Sequence, residues 1–421
     1  MAKLKEYNGY YCESEYEYAF IEFLEAEGWE YISGNNIKRI NKRDVLIADD
    51  FKKFIYATNP ELTKDEVIQI FDNVRLVGAE SDFATLHKVY GWMVDGIQFT
   101  LQDSTVKMVS LIDFENPTNN IFRVVNQFTV EYTNNGQKEN RRPDVLLYVN
   151  GMPLCVIELK NPADAHATVY DAWEQITIRY WRDITHLLHY CPLACISDGV
   201  KTRLGTVRTP YEHFYAWRRV NDGDQVSTLP FSETETMIKG VYSPARFLEI
   251  FRDYIYFQDS IYDSAEVEIV CRYPQFFASK LLKQSIVNSV VTKSGKGGTY
   301  FGATGCGKTY TMAFLARQLA LRCSNIPEIG SPTIILIVDR EELQKQGAKL
   351  FTKSKEFLNL GEVSVVKNRA QLRLELGARQ SGGFYICTIQ KFCDREEDKI
   401  GLINDRKNII CFSDEAHRTQ L

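Results

Sequence analysis

Residues 143–160 read Pro-Asp-Val-Leu-Leu-Tyr-Val-Asn-Gly-Met-Pro-Leu-Cys-Val-Ile-Glu-Leu-Lys. Two apolar runs, Asp144–Val149 and Leu154–Leu159, flank the dipeptide Asn150-Gly151. That dipeptide favours the tight turn of a β-hairpin, so the stretch predicts two antiparallel strands. Residues two apart on a strand face the same side, so Glu158 and Lys160 project together. Antiparallel pairing can bring Asp144 alongside. Charges bordering such apolar strands are costly without a purpose. Two carboxylates, Asp144 and Glu158, can hold Mg2+. The lysine can steady a water nucleophile or the charge developing on a phosphorane. Phosphodiester cleavage needs that combination.

Upstream, Tyr16, Phe20, Ile21 and Leu24 recur at helical spacing until Gly28. Glu15, Glu17 and Glu22 lie on this helix. Each is a candidate for a further acid at the site, or part of a solvated face. From about Leu101 to Asn161 the texture is β-like, with Asn119–Tyr132 as a further strand region and Asn134-Asn135-Gly136 as a turn. A helix is expected over Asp164–Tyr180. Asp222–Glu235 reads as a loop. Ser243-Pro244 reads as an N-cap with proline in the first turn, leading into a helix over Phe247–Phe257.

After Val267 strand-like and helix-like runs alternate, which predicts a parallel α/β sheet. Strands are expected at Thr299–Phe301, Thr333–Val338, Phe384–Ile389 and Ile409–Ser413, and helices at Thr309–Cys323 and Glu341–Phe351. Gly302-Ala303-Thr304-Gly305-Cys306-Gly307-Lys308-Thr309 matches the full phosphate-loop pattern. Its glycines, Gly302, Gly305 and Gly307, let backbone N–H groups curl toward phosphate oxygens at a helix N-terminus. Lys308 is expected on the β/γ-phosphates of ATP and the Thr309 hydroxyl on Mg2+. The apolar run Ile409–Ser413 ends in Asp414-Glu415-Ala416-His417. Asp414 at the strand tip is a second Mg2+ ligand, and Glu415 can orient the attacking water.

The bulk numbers set limits. At 421 residues and 44% apolar content, the chain has material for more than one core. No uninterrupted apolar run is long enough to span a bilayer, and the opening residues lack a secretory h-region, so a cytoplasmic protein with no membrane partner is expected. The ten cysteines are scattered without zinc-type spacing and read as reduced thiols. A net charge of −5 excludes no partner, because a phosphate backbone needs only a local basic groove. Lys138, Arg141 and Arg142 form one such candidate, and Lys201, Arg203, Arg208, Arg218 and Arg219 another. Either set can equally be a solvated face.

The spacing from Pro143-Asp144 to Glu158-Leu159-Lys160 resembles the PD-(D/E)xK nucleases. Gln175 and Tyr180 resemble the Q-x-x-x-Y element of a subset of them, but stand one position further apart, and Gln175 is the residue carried over. Asp-Glu-Ala-His resembles motif II of superfamily 2 helicases. Val338–Leu343 and Thr388–Phe392 resemble that family's strand-end motifs. Arg272-Tyr273-Pro274-Gln275 resembles its adenine-reading motif, which implies Gln275 on the base. Nuclease first and motor second, together with phrases such as Asn119-Asn120-Ile121-Phe122, Ile196-Ser197-Asp198-Gly199 and Phe214-Tyr215-Ala216-Trp217, resemble the restriction (R) subunit of type I restriction–modification enzymes.

The resemblance implies a restriction-endonuclease-like mixed-sheet domain over residues 1–260, followed by a P-loop RecA-like parallel-sheet lobe over 261–421. It implies double-stranded DNA as substrate, Mg2+ and ATP as cofactors, and methyltransferase and specificity subunits as partners. In the resembled family the motor works between two such lobes. Because the sequence given ends just after motif II, poor ATP binding and no translocation are expected of this chain by itself. Two other readings stay open: a nuclease–helicase of DNA repair, and an inert nucleotide-binding module.

Overall fold

The computed structural model describes residues 13–78, 80–161, 168–226, 229, 232–258, 266–303, 305–359, 361–392 and 401–415. The chain divides into two compact units. Met1–Ile255 with Glu268–Val270 form the first, and Tyr256–Val267 with Cys271–Leu421 the second.

The first unit is organised by a six-stranded mixed sheet. Its strands are β1 (Glu30–Ser33), β2 (Phe122–Asn126), β3 (Val145–Val149), β4 (Met152–Leu159), β5 (Leu193–Ser197) and β6 (Thr202–Thr206), adjacent in that order. β1 runs parallel to β2, and β4 parallel to β5; the other neighbours are antiparallel. β3 and β4 are buried along their whole length, which explains why they read as continuous apolar runs. The expected hairpin joins them. Asn150 and Gly151 both have positive φ, 51° and 77°, the pattern of a type I′ turn. A side chain at Gly151 would strike the Ile47 carbonyl and the Phe51 N–H.

Helix α1 (Glu13–Ala26) buries Tyr16, Phe20, Ile21 and Leu24, the face expected from their spacing. Three helices were not anticipated: α2 (Ala48–Thr58), α3 (Lys64–Arg75) and α4 (Asp82–Asp95). α3 opens on a capping box, with Thr63 accepting from the Glu66 N–H and Glu66 accepting from the Thr63 N–H. Between β4 and β5 the chain crosses over through α5 (Val169–Glu174), which continues as a wider, π-type turn over Gln175–Tyr180. The expected start of this helix at Asp164 lies outside the described residues. α6 (Pro244–Asp253) begins at the expected Ser243-Pro244 but ends before Ile255–Phe257, which is extended. The expected loop over Asp222–Glu235 gives way to helix from Ser232, where Thr234 and Met237 are buried.

The second unit contains a four-stranded parallel sheet. Its strands are β7 (Thr333–Val338), β8 (Val363–Val365), β9 (Phe384–Thr388) and β10 (Ile409–Ser413), in the spatial order β8-β9-β7-β10. α7 (Tyr273–Thr292) packs beside α8 (Lys308–Leu321), which starts at the phosphate-loop lysine. Thr299–Phe301 is not a strand: Phe301 is 95% exposed, and a lone apolar residue between glycine-rich segments has no sheet partner to cover it. No described helix is long and apolar enough to cross a membrane. The eight described cysteines are all unpaired.

Candidate functional site

The hairpin register decides where the acids fall. Val145 pairs with Ile157, so the next position sets Asp144 opposite Glu158. The Asp144 N–H donates to Glu158 Oε1 at 3.4 Å, and Asp144 Oδ2 accepts from the Leu159 N–H at 2.8 Å. Lys160 Nζ lies 3.7 Å from Glu158 Oε2. The structure therefore brings Asp144, Glu158 and Lys160 together at one end of the sheet.

Glu158 is fully buried, and its Oε2 has no hydrogen-bond partner. Burial, then the nearby Asp144 carboxylate, pushes its carboxyl well above the usual range. An orphaned carboxylate oxygen facing a second acid is the environment a cation relieves. Among the described residues no group of three His, Cys, Asp or Glu side chains is placed to hold a metal. The pair Asp144 and Glu158 suits Mg2+ nonetheless, because Mg2+ commonly takes one or two carboxylates and fills its other positions with water and phosphate.

Gln175 and Tyr180 complete a closed polar ring. Lys160 Nζ donates to Gln175 Oε1 at 2.9 Å. A lysine only donates, so the Gln175 amide must present its carbonyl to it and its N–H group to the next neighbour. That neighbour is Tyr180, at 2.7 Å. The Tyr180 hydroxyl in turn donates to Glu158 Oε1 at 2.7 Å. Tyr180 was set aside on spacing, and the structure corrects that: the π-type turn absorbs the additional residue and returns both side chains to one face. Burial and the Glu158 carboxylate hold the Tyr180 phenol well above its ordinary pKa, so it stays a donor.

Of the three acids on α1, Glu17 reaches this end of the sheet. It is 7% exposed and accepts from Asn126 Nδ2 at 2.6 Å and Gln127 Nε2 at 3.4 Å. Burial raises its carboxyl, and Asp144 adds to the effect. Glu15 is part-exposed and Glu22 exposed. Asn126 and Gln127 were not foreseen. Gln127 has φ 54°, an unusual backbone for a glutamine and a local signal of a constrained site that sequence does not carry.

In the second unit, Gly307, Thr309 and Asp414 line a cavity of about 220 Å3 together with Tyr310, Leu336 and Val338. Gly307 has φ 82° at the N-cap of α8, a position that favours glycine. Gly302 and Gly305 flank it in the loop, and Thr304, Ala416 and His417 lie outside the described residues. Lys308 Nζ sits 3.8 Å from Glu415 and 3.4 Å from the Gly302 carbonyl. Glu415 has φ 53° and follows Asp414, whose N–H donates to the Ile337 carbonyl beside it on β7.

Gln275 stands differently from the role expected of it. It is 3% exposed, and both ends of its amide are occupied. Its Oε1 accepts from the Arg272 N–H, and its Nε2 donates to the Cys306 and Gly307 carbonyls at 3.3 Å. As placed, it fastens the phosphate loop. The two strand-end motifs meet: Gln390 Nε2 donates to the Asp339 carbonyl at 2.9 Å.

The two sites define a class: a phosphate-loop nucleotide unit preceded by a mixed-sheet domain with a carboxylate–lysine site. Residues 10–213 match the family model of the type I restriction enzyme R protein N terminus, and residues 274–421 that of the SWI2/SNF2 ATPase. The chain thus carries the N-terminal domain of type I restriction enzyme R proteins, followed by SWI2/SNF2 ATPase sequence. It is 30% identical to the type I restriction enzyme HindI endonuclease subunit of Haemophilus influenzae, over 97% of this chain and 39% of the relative. It is 29% identical to a putative type I restriction enzyme MjaIXP endonuclease subunit of Methanocaldococcus jannaschii, over 96% and 39%. A Staphylococcus aureus type I endonuclease subunit, SauMSSORF170P, is 25% identical over 77% and 32%. The chain therefore spans about two-fifths or less of the length of these relatives.

Proposed function

We propose that this chain supplies the DNA-cleaving and ATP-binding parts of a type I restriction–modification enzyme. The observation that carries the reading is the buried Glu158, with an unpartnered oxygen, set opposite Asp144 and beside Lys160. Asp144 and Glu158 would hold Mg2+, which supplies charge neutralisation at the phosphodiester. Lys160 keeps protons beyond the one given to Gln175, and these can meet the attacked phosphate as negative charge grows on it. Gln175 and Tyr180 keep the lysine and Glu158 in place. Glu17 lies close enough to add to the acidic field.

In the second unit, Gly302, Gly305 and Gly307 would cradle the phosphates of ATP. Lys308 would leave Glu415 for the β/γ-phosphates, freeing Glu415 to orient a water. Thr309 and Asp414 would hold the accompanying Mg2+. Gln275 would keep the loop in shape. Double-stranded DNA is the substrate of this reading, the methyltransferase and specificity subunits are its partners, and the cytoplasm is its place of action. The test is nicking of plasmid DNA with Mg2+ or Mn2+ by the wild type and by Glu158→Ala. Loss of cleavage in the variant is expected, and equal cleavage by both would refute the assignment.

A further inference from the structure

The face of the sheet that carries Glu158 continues toward the edge strand β6. Glu158 pairs with Ile196 on β5, and Ile196 pairs with Arg203 on β6. Paired residues share a face, so the Arg203 and Glu158 side chains leave the same side of the sheet. Two interstrand spacings separate their backbones, roughly 10 Å.

Arg203 does not stand alone there. Its guanidinium lies 5.7 Å from the Tyr211 ring centroid. Tyr211 meets Tyr170 edge-on at 5.0 Å and Trp173 at 6.0 Å, and Tyr170 meets Trp173 at 5.3 Å. Trp173 is anchored by its indole N–H on the Thr209 carbonyl, at 2.9 Å. Tyr170, by contrast, is 48% exposed. The acids on the same helix are already engaged. Asp171 accepts from the Thr168 N–H and hydroxyl, and Glu174 pairs with Arg179. The result is an exposed ring, on the helix that leads directly into Gln175, braced by two others, one of which carries a cation over its face.

We propose that Tyr170, Tyr211 and Arg203 form a docking surface for single-stranded DNA beside the cleavage site. An unpaired base stacks on Tyr170 while Arg203 meets the adjoining phosphate. Aromatic faces accept any base, and a flanking arginine adds charge without sequence preference. Stacked duplex bases offer no free face to such a ring, so the surface distinguishes unpaired from paired DNA. The proposal rests on the nuclease reading for its biological purpose, but not for its test.

The test uses the full chain in EDTA, with fluorescein-labelled oligothymidylate and a blunt duplex of equal length as probes. Tyr170→Glu and the double variant Tyr170→Ala/Tyr211→Ala should weaken oligothymidylate binding roughly tenfold or more, and duplex binding by less than about twofold. Arg203→Gln should lower the dependence of log affinity on log salt by about 0.7 for the single strand. Tyr170→Phe should bind like the wild type. Unchanged oligothymidylate affinity in Tyr170→Glu, or equal losses on both probes, would overturn the proposal. Plasmid nicking by the wild type against Glu158→Ala is read separately. If nicking fails while the strand-binding loss appears, the nuclease reading falls and the docking surface stands.

Discussion

Gln175 and Tyr180 stand five residues apart, yet the amide of one donates to the phenol of the other at 2.7 Å. An α-helix aligns positions three and four apart, and the wider turn over Gln175–Tyr180 aligns the fifth. Their contact ties Lys160 to Glu158 through two side chains of one helical turn. Tyr180→Phe should therefore leave Glu158 Oε1 without a hydroxyl donor. Its metal requirement for nicking should rise several-fold, with a smaller loss at saturating Mg2+. Deleting the exposed Ile178 should restore four-residue spacing and retain most activity, whereas Gln175→Ala should not. Metal titrations of nicking check all three.

Glu158 is a buried acid with an unpartnered oxygen set beside a second acid. Removing a buried charge that faces another acid is expected to stabilise the metal-free protein. Glu158→Gln should raise the thermal midpoint in EDTA by a few degrees, about 1–2 kcal/mol, while abolishing cleavage. Because burial raises the carboxyl, its cost is absent at low pH, where it is neutral in both states, and grows as pH rises above the unfolded value. Divalent cations should thus raise the midpoint more at about pH 8 than at about pH 5, and the difference should vanish in Glu158→Gln.

His186 sets an opposite dependence. Burial, then Arg43, brings its pKa down from 6.5 to about 4, and its Nε2 has no partner. The neutral ring is tolerated; the charged one is not. Stability is fully present above about pH 6.5 and falls as pH drops toward 4. Between about pH 7.5 and about pH 5 the loss from this residue should be about 2 kcal/mol. Urea unfolding at the two pH values measures it, and His186→Phe should show a correspondingly smaller change.

Gln275 separates two uses of one amide. If it braces the phosphate loop, Gln275→Ala should weaken ATP and GTP by similar factors. A base-reading glutamine would instead lose its preference for ATP. Fluorescent-nucleotide binding with both competitors decides, and a selective loss of ATP would contradict the contacts to Cys306 and Gly307.

Much of this arrangement was legible because its signals are local. The hairpin follows from two continuous apolar runs on either side of Asn150-Gly151. The phosphate loop follows from a motif whose every glycine has a steric reason, and three of the four strands of the second sheet from apolar runs bounded by polar ends. Tyr180 was named but not carried over because its spacing from Gln175 was counted on an α-helix, and a helix that widens changes the count. The contacts of Gln275 were not legible because a motif names a residue without saying what its two amide ends will meet. Thr299–Phe301 has strand composition but no partner strand, and partners are tertiary facts. α3 and α4 open on capping residues, Thr63 and Ser81, a local signal that marks where a helix starts but not what it packs against.

The turn at Asn150-Gly151 lies at the far end of the hairpin, roughly 17 Å from Asp144 at the usual rise per residue. The turn pairs Val149 with Met152 and Tyr148 with Pro153; a bulge at Leu154 then shifts the register by one, so that Leu147 faces Cys155 and Asp144 comes opposite Glu158. Strand side chains alternate faces, so a slip of one position would turn Glu158 to the other side of the sheet and leave Asp144 facing a leucine. The two left-handed residues fix the register at the turn, and the bulge at Leu154 sets the parity at the acids. Asn150 holds them in place by donating to the Leu111 carbonyl and to Asn120, and by accepting from the Ile121 N–H. Gly151→Ala should cost about 3 kcal/mol and, in whatever folds, misalign the metal site. Denaturant unfolding measures the first effect and the metal dependence of nicking the second. The facing of Asp144 and Glu158 is thus decided by a count, two residues in the turn and one in the bulge, and errors there are errors of parity.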